Sequence, residues 1–426
     1  MPDSEFYRKA VFDNGLRVLT SEMPHTSSAS IAFFIGVGSR YELDGQGGLS
    51  HFLEHMLFKG TAKRPTAKDI SEAIEGVGGL LNAATSQEAT VYWAKVAQPH
   101  YALALDILVD MLLNSKIAPE EIEKERKVIL EEIKIIFDTP SDLVTLLIDQ
   151  VLWGEHPLGR DIAGTKETVS RLQREDLLAY LVRHYSPNTT VVSVAGNVTH
   201  DQAVDSLHRA LGGWRSSADG SWQEVKDVQA EPRHRIQYKD TQQAHICLAV
   251  PGLSLNHPER FALGLLNTLL GEGMSSRLFQ EIREKRGLAY DVHSYVNRFQ
   301  DTGSVVVYAG VEPNKAVDTI QAILGELARM KDAPVSQEEL SKVKELSKGR
   351  LLLGLEDSRS VASWLGSQEL LSDRILTPDE VVERIEAVTA DDVQRVAKSL
   401  FATEKLNLAV VGPLKNGDRF ARLLAL

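Results

Sequence analysis

Apolar positions along the chain recur with two different periods, and the switches between them predict an alternation of strands and helices. Residues 11–20 read as two short strands around Asp13-Asn14-Gly15, a tight-turn tripeptide. Residues 30–37 are apolar at nearly every position, as in a largely buried strand. Helical spacing then predicts helices over about 48–58, 67–75, 99–114, 119–137, 142–153 and 176–184, with strands over 89–96 and 190–196. The stretch 154–165 reads as a loop containing Pro157 and Gly159. The pattern breaks at Gly212-Gly213-Trp214-Arg215-Ser216-Ser217-Ala218-Asp219-Gly220, which is polar and rich in Gly and Ser. This predicts a first domain over 1–215, a linker over 216–233 and a second domain over 234–426.

Part of the first half recurs beyond the linker. Residues 176–196 match 392–412 without gaps, pairing Asp176-Leu177 with Asp392-Val393 and Val194-Ala195-Gly196 with Val410-Val411-Gly412. A looser likeness sets 91–99 against 306–313 and pairs Ala94 with Ala309 and Val96 with Val311. The halves therefore read as two copies of one α+β domain.

The first copy carries the candidate chemistry. In His51-Phe52-Leu53-Glu54-His55 the histidines stand four apart, so on a helix they share one face and can reach one metal ion. Glu54 falls beside that metal as a candidate general base, and the order H-x-x-E-H inverts the commoner H-E-x-x-H. Leu49, Phe52, Leu53, Met56 and Leu57 equally mark an ordinary buried helix with two satisfied histidines, so the pentapeptide needs a third ligand elsewhere. The helix 119–137 offers two. Ile122, Glu125, Ile129, Glu132 and Ile136 form one stripe at intervals of three and four, while Lys124, Lys127, Glu131 and Lys134 fall on another face. A carboxylate inside an apolar stripe must be paired or metal-bound, because a bare buried charge is very costly. The alternative is two glutamates at the stripe's edge paired with lysines. The second copy has lost these groups: the helix near 260–270 has no histidine, and Val343 and Arg350 stand opposite Glu125 and Glu132. It keeps instead the charged run 275–290, with a Gly287 helix stop ahead of Tyr290.

Composition narrows the classes. A chain of 426 residues exceeds one ordinary core. A net charge of −12 argues against nucleic acid as partner. No run of eighteen apolar residues predicts a membrane span, and residues 1–6 lack a secretory pattern. The lone Cys247, between apolar neighbours, reads as a core strand residue and suits a reducing cytoplasm. P-loop and dinucleotide fingerprints are missing from the sequence.

Taken in order, four motifs resemble those of the pitrilysin-type (M16) metallopeptidases, which include insulin-degrading enzyme and the mitochondrial processing peptidase. They are His51-x-x-Glu54-His55; Asn82-Ala83 with Thr85-x-x-Glu88; Glu125-Arg126-x-Val128-Ile129-x-x-Glu132; and Arg283-x6-Tyr290. The likeness spans nearly the whole chain and extends to the processing-peptidase-like bacterial members. It implies an α+β fold of two homologous domains, each a largely antiparallel sheet flanked by helices, of the M16/LuxS-like type. It implies one Zn2+ per chain on His51, His55 and Glu132, with Glu54 as base and Glu125 as a supporting carboxylate. Asn82 and Ala83 are implied to lie on an edge strand that pairs with bound peptide. Arg283 and Tyr290 are implied to stabilise charge on the scissile carbonyl. The expected activity is hydrolysis of short or unfolded polypeptides in an enclosed chamber. The expected assembly is a homodimer, because one chain holds both the zinc and the Arg/Tyr motifs. The alternatives are a silent scaffold subunit, or one active subunit of a hetero-dimeric processing peptidase. Gly271-Glu272-Gly273 is too short to match the glycine-rich loop of the non-catalytic mitochondrial subunit.

Overall fold

The computed structural model describes residues 6–217, 221–226, 229–415 and 417–426, so part of the expected linker lies outside the described residues. The strands are β1 (Arg8–Val11), β2 (Arg17–Glu22), β3 (Ser28–Ile35), β4 (Leu80–Thr85), β5 (Thr90–Ala97), β6 (Thr190–Gly196), β7 (Arg233–Tyr238), β8 (Ala244–Pro251), β9 (Ala289–Arg298), β10 (Gly303–Val311) and β11 (Asn407–Gly412). The helices begin with α1 (Leu49–Leu57), α2 (Ala67–Glu75), α3 (Tyr101–Asn114), α4 (Pro119–Asp138), α5 (Pro140–Trp153), α6 (Lys166–Arg171), α7 (Arg174–His184) and α8 (His200–Leu211). They continue with α9 (Arg260–Gly271), α10 (Ala316–Asp332), α11 (Gln337–Gly354), α12 (Ser358–Leu371), α13 (Pro378–Ala387), α14 (Ala390–Leu400) and α15 (Gly417–Ala421). A π-helical segment, Phe279–Lys285, precedes β9.

The two sheets share one topology. The first runs β1-β2-β6-β3-β5-β4 and the second β7-β11-β8-β10-β9. Without β1 the orders match strand for strand, down to one parallel pair in each, β2 with β6 and β7 with β11. All other pairs are antiparallel. The gapless sequence match thus aligns α7 and β6 with α14 and β11, and the looser one aligns β5 with β10. This is the α+β fold of two similar, largely antiparallel units that the sequence implies.

Strand β3 is buried from Ala29 to Ile35 because both faces of its sheet are covered. Ile31, Phe33 and Ile35 join Phe52, Leu53 and Met56 of α1 in the main core. Ala32 and Phe34 point the other way, onto Val361, Ala362 and Leu365 of α12. The second contact needs Gly366, where an added Cβ would come within 2.1 Å of the Phe34 ring.

The compact units are not the contiguous halves 1–215 and 234–426. One comprises Met1–Ile133, Asp161–Gln223 and Leu353–Thr377; the other comprises Lys134–Arg160, Glu224–Leu352 and Pro378–Leu426. Each half gives one helix to the other half's sheet. Helix α5 buries Leu143, Val144, Leu147 and Ile148 against Cys247, Ala249, Val306 and Ala409 of the second sheet, as α12 covers the first. Amphipathic spacing shows that such a helix must cover something, but not which sheet it covers.

The stripe on α4 also differs in its last turns. Ile122, Glu125 and Ile129 are buried as expected, but Arg126 and Ile133 complete the buried face while Glu132 and Ile136 are half-exposed. Cys247 is buried in β8, where burial raises its thiol pKa. Among the described residues no helix is long and apolar enough to cross a membrane.

Candidate metal centre

The centre is built on α1, and α1 is held at both its start and its flank. Gly48, its N-cap, has φ 92°, and any Cβ there would lie 2.5 Å from the Ala163 carbonyl oxygen. The buried Glu42 carboxylate accepts the backbone N–H of Gly48 at 2.9 Å and of Ser50 at 2.7 Å, satisfying donors that a helix start leaves open. Phe52, Leu53, Met56 and Leu57 anchor the opposite face in the core. Arg126 of α4 lies 5.6 Å over the Phe52 ring and donates to the Leu172 carbonyl at 2.8 Å and to that of Val169.

On the remaining face the two imidazoles converge. His51 Nε2 and His55 Nε2 are 3.2 Å apart, and Glu132 Oε2 lies 3.8 Å from the first and 3.7 Å from the second. Zinc–ligand distances of about 2.0–2.2 Å in tetrahedral geometry place ligand atoms about 3.3 Å apart, so the three atoms need only small shifts to surround one ion. Candidate ligand atoms of His51, His55 and Glu132 all lie within 4.8 Å of one another. Burial, reinforced by His55, pulls His51 down to about 4, which keeps it neutral and its lone pair available near pH 7. Two imidazoles and one carboxylate with a fourth position open is a donor set that suits zinc.

The other site residues of the first unit cluster around these three. His55 Nδ1 lies 3.0 Å from Glu125 Oε2, and Lys59 Nζ lies 2.7 Å from Glu125 Oε1. Burial opposes charge on Glu125, yet the hydrogen bonds from His55 and Lys59 outweigh it and hold the carboxyl below its ordinary value. Glu125 is therefore paired on both oxygens, which leaves Glu132 as the carboxylate next to both Nε2 atoms. Glu54 is raised by burial, partly offset by a hydrogen bond that its Oε2 accepts from Thr85 Oγ1.

Thr85 sits on β4, the outer strand of the first sheet, as do Asn82 and Ala83. Asn82 Oδ1 accepts the Ala83 backbone N–H at 2.8 Å. The neighbouring turn is fixed by Glu88, which takes Arg40 Nη1 at 2.7 Å; that arginine is itself buried under the Trp222 ring at 4.0 Å.

Arg283 and Tyr290 belong to the second unit. The structure brings them to each other: the Arg283 guanidinium lies 4.8 Å over the Tyr290 ring and 4.8 Å over Phe279. Tyr290 is exposed. In the same unit Val343 is buried and Arg350 pairs with Glu272 at 2.8 Å, in keeping with a copy that lacks the ligand carboxylates. Sequence reasoning missed Glu42, Lys59 and the Thr85 bond to Glu54. Only Thr85 left a trace, as a member of the quoted motif.

Comparison with known proteins gives the family. Residues 17–166 match the family model described as insulinase (peptidase family M16), and residues 171–347 match the peptidase M16 inactive domain. The chain belongs to the M16 peptidase family. It is 39% identical to an uncharacterized zinc protease of Streptomyces coelicolor, over 96% of this chain and 90% of that protein. It is 38% identical to the uncharacterized zinc protease YmxG of Bacillus subtilis, over 95% and 97%. Among solved structures, a protease from Helicobacter pylori superposes with a TM-score of 0.90 at 22% identity, covering 96% of this chain and 99% of that one. A chain of complex III2 from Candida albicans does so at 0.82 and 22%, covering 98% and 100%. These two likenesses establish the fold alone.

Proposed function

We propose that the chain is a zinc-dependent endopeptidase that hydrolyses peptide bonds of short or unfolded polypeptides. The observation that carries the reading is the convergence of His51 Nε2, His55 Nε2 and Glu132 Oε2 beside the raised carboxyl of Glu54. The names of the relatives in Streptomyces coelicolor and Bacillus subtilis support zinc and proteolysis.

His51, His55 and Glu132 would hold one zinc ion, which when bound supplies an activated water and a polarised carbonyl. Glu54 takes the proton of the attacking water and delivers it to the leaving nitrogen; a carboxyl raised by burial is suited to both steps. Glu125 orients His55 through Nδ1. The free edge of β4, at Asn82 and Ala83, adds the substrate as a further strand and so reads backbone more than side chains. To Arg283 and Tyr290 we assign stabilisation of the developing oxyanion, on the strength of the sequence pattern.

Substrate is enclosed during turnover, and a homodimer in the cytoplasm is the working form. The intact ligand set and base speak against a silent scaffold. Metal content and size of the purified chain, followed by a fluorogenic-peptide assay with and without chelator, test the reading. A stoichiometric zinc and chelator-sensitive cleavage are expected; cleavage indifferent to zinc removal would overturn it.

A further inference from the structure

The second unit contains a cleft that the proposed peptidase chemistry leaves unused. It has a volume of about 280 Å³ and is lined by residues of α9, α11 and α13 together with Leu255, Glu272 and Arg298. Arg298 closes β9. Its guanidinium makes no hydrogen bond or ion pair with any described residue, and its Nε is buried without a partner. Burial and then the nearby Arg260 push its pKa down, against a smaller opposing pull from Glu272. Glu272, the carboxylate lining the cleft, is engaged elsewhere: Oε1 accepts Asn267 Nδ2 at 2.6 Å, and Oε2 accepts Arg350 Nη1 at 2.8 Å and Thr268 Oγ1 at 3.2 Å.

A desolvated guanidinium without a directly paired counter-charge costs stability, and an anion delivered by a ligand removes that cost. The planar fork of arginine matches a carboxylate through two parallel hydrogen bonds. Phe261, Leu255 and Ile385 supply apolar walls beside it, and Ser347 a further polar group. The space suits one residue-sized group.

We propose that this cleft binds a carboxylate carrying a compact apolar group, with Arg298 taking the carboxylate and Phe261, Leu255 and Ile385 the apolar part. Two sources share this chemistry: a free aliphatic acid and the carboxyl-terminal residue of a peptide. Calorimetric titration of the full chain with 4-methylpentanoate, N-acetyl-leucine and N-acetyl-leucinamide distinguishes them. Binding of 4-methylpentanoate alone supports the free acid, and binding of N-acetyl-leucine alone supports the peptide terminus; binding of both supports the shared chemistry. The amide should bind at least roughly tenfold more weakly than its acid, and Arg298→Gln should weaken the acids by a similar factor. Ser347→Glu places a carboxylate in the cleft and leaves Arg298 intact, so it should abolish acid binding even if Arg298→Gln fails to fold. The proposal is overturned if neither acid binds, if acid and amide bind alike, or if Ser347→Glu binds the acids as the wild type does.

Discussion

His55 Nδ1 and Glu125 Oε2 lie 3.0 Å apart, and the other oxygen of the same carboxylate is held by Lys59 at 2.7 Å. That bond fixes the proton of His55 on Nδ1 and turns the Nε2 lone pair toward His51 and Glu132. Glu125→Gln keeps the shape but lets the amide present either a donor or an acceptor to Nδ1. Zinc affinity, measured by chelator competition, should fall about 10- to 100-fold. An unchanged affinity would show that Glu125 is only a partner for Lys59.

Ala83 offers its N–H on an outer strand, where the amide of Asn82 now holds it at 2.8 Å. If substrate pairs with this edge, Ala83→Pro removes the donor while an edge strand still tolerates proline. The Michaelis constant for an extended peptide should rise roughly tenfold or more, with zinc content unchanged. An unaltered constant would place the bound peptide elsewhere.

Arg283→Ala should lower turnover by roughly 10²-fold or more while zinc content stays normal. Mixing it with Glu54→Gln protein then tests the homodimer. Recovered activity would show that the two motifs act across chains, and no recovery would show that each chain is self-sufficient.

Burial raises Asp149 on α5 to about 7. With a folded pKa above the ordinary 3.8, the native state holds a proton that the unfolded chain has released between those values. Stability from this group is therefore fully present below pH ~4 and is lost as pH rises toward 7, by at most about 1.4 kcal/mol per pH unit. Asp149→Asn should remove the slope, so its denaturation midpoint should gain on the wild type as pH rises from about 4 to 7. Parallel curves for the two proteins would contradict the assignment.

The parts of the centre that were legible in sequence are those set by helix phase. Spacing put His51 and His55 on one face of α1, and the apolar run on α4 singled out Glu125 and Glu132, although Glu132 lies half-exposed beside the buried face. What stayed hidden depends on groups that meet only after folding. Glu42 caps α1 from a turn six and eight residues upstream of its partners, an arrangement outside the local capping patterns. Helices α5 and α12 advertise apolar faces but not the sheets that receive them. Helix α8 is a further segment whose pattern is legible, since Ala203, Leu207 and Leu211 recur at intervals of four along one buried face.

Glu54 is the residue on which the peptidase reading turns, since it is hydrogen-bonded to none of the three converging ligand atoms and is held by Thr85. Glu54→Gln preserves that contact and the ligand set but removes the base. Zinc content and peptide turnover should be measured together on this variant. The account predicts wild-type zinc with turnover lower by at least about 10²-fold; wild-type zinc with undiminished turnover would contradict it.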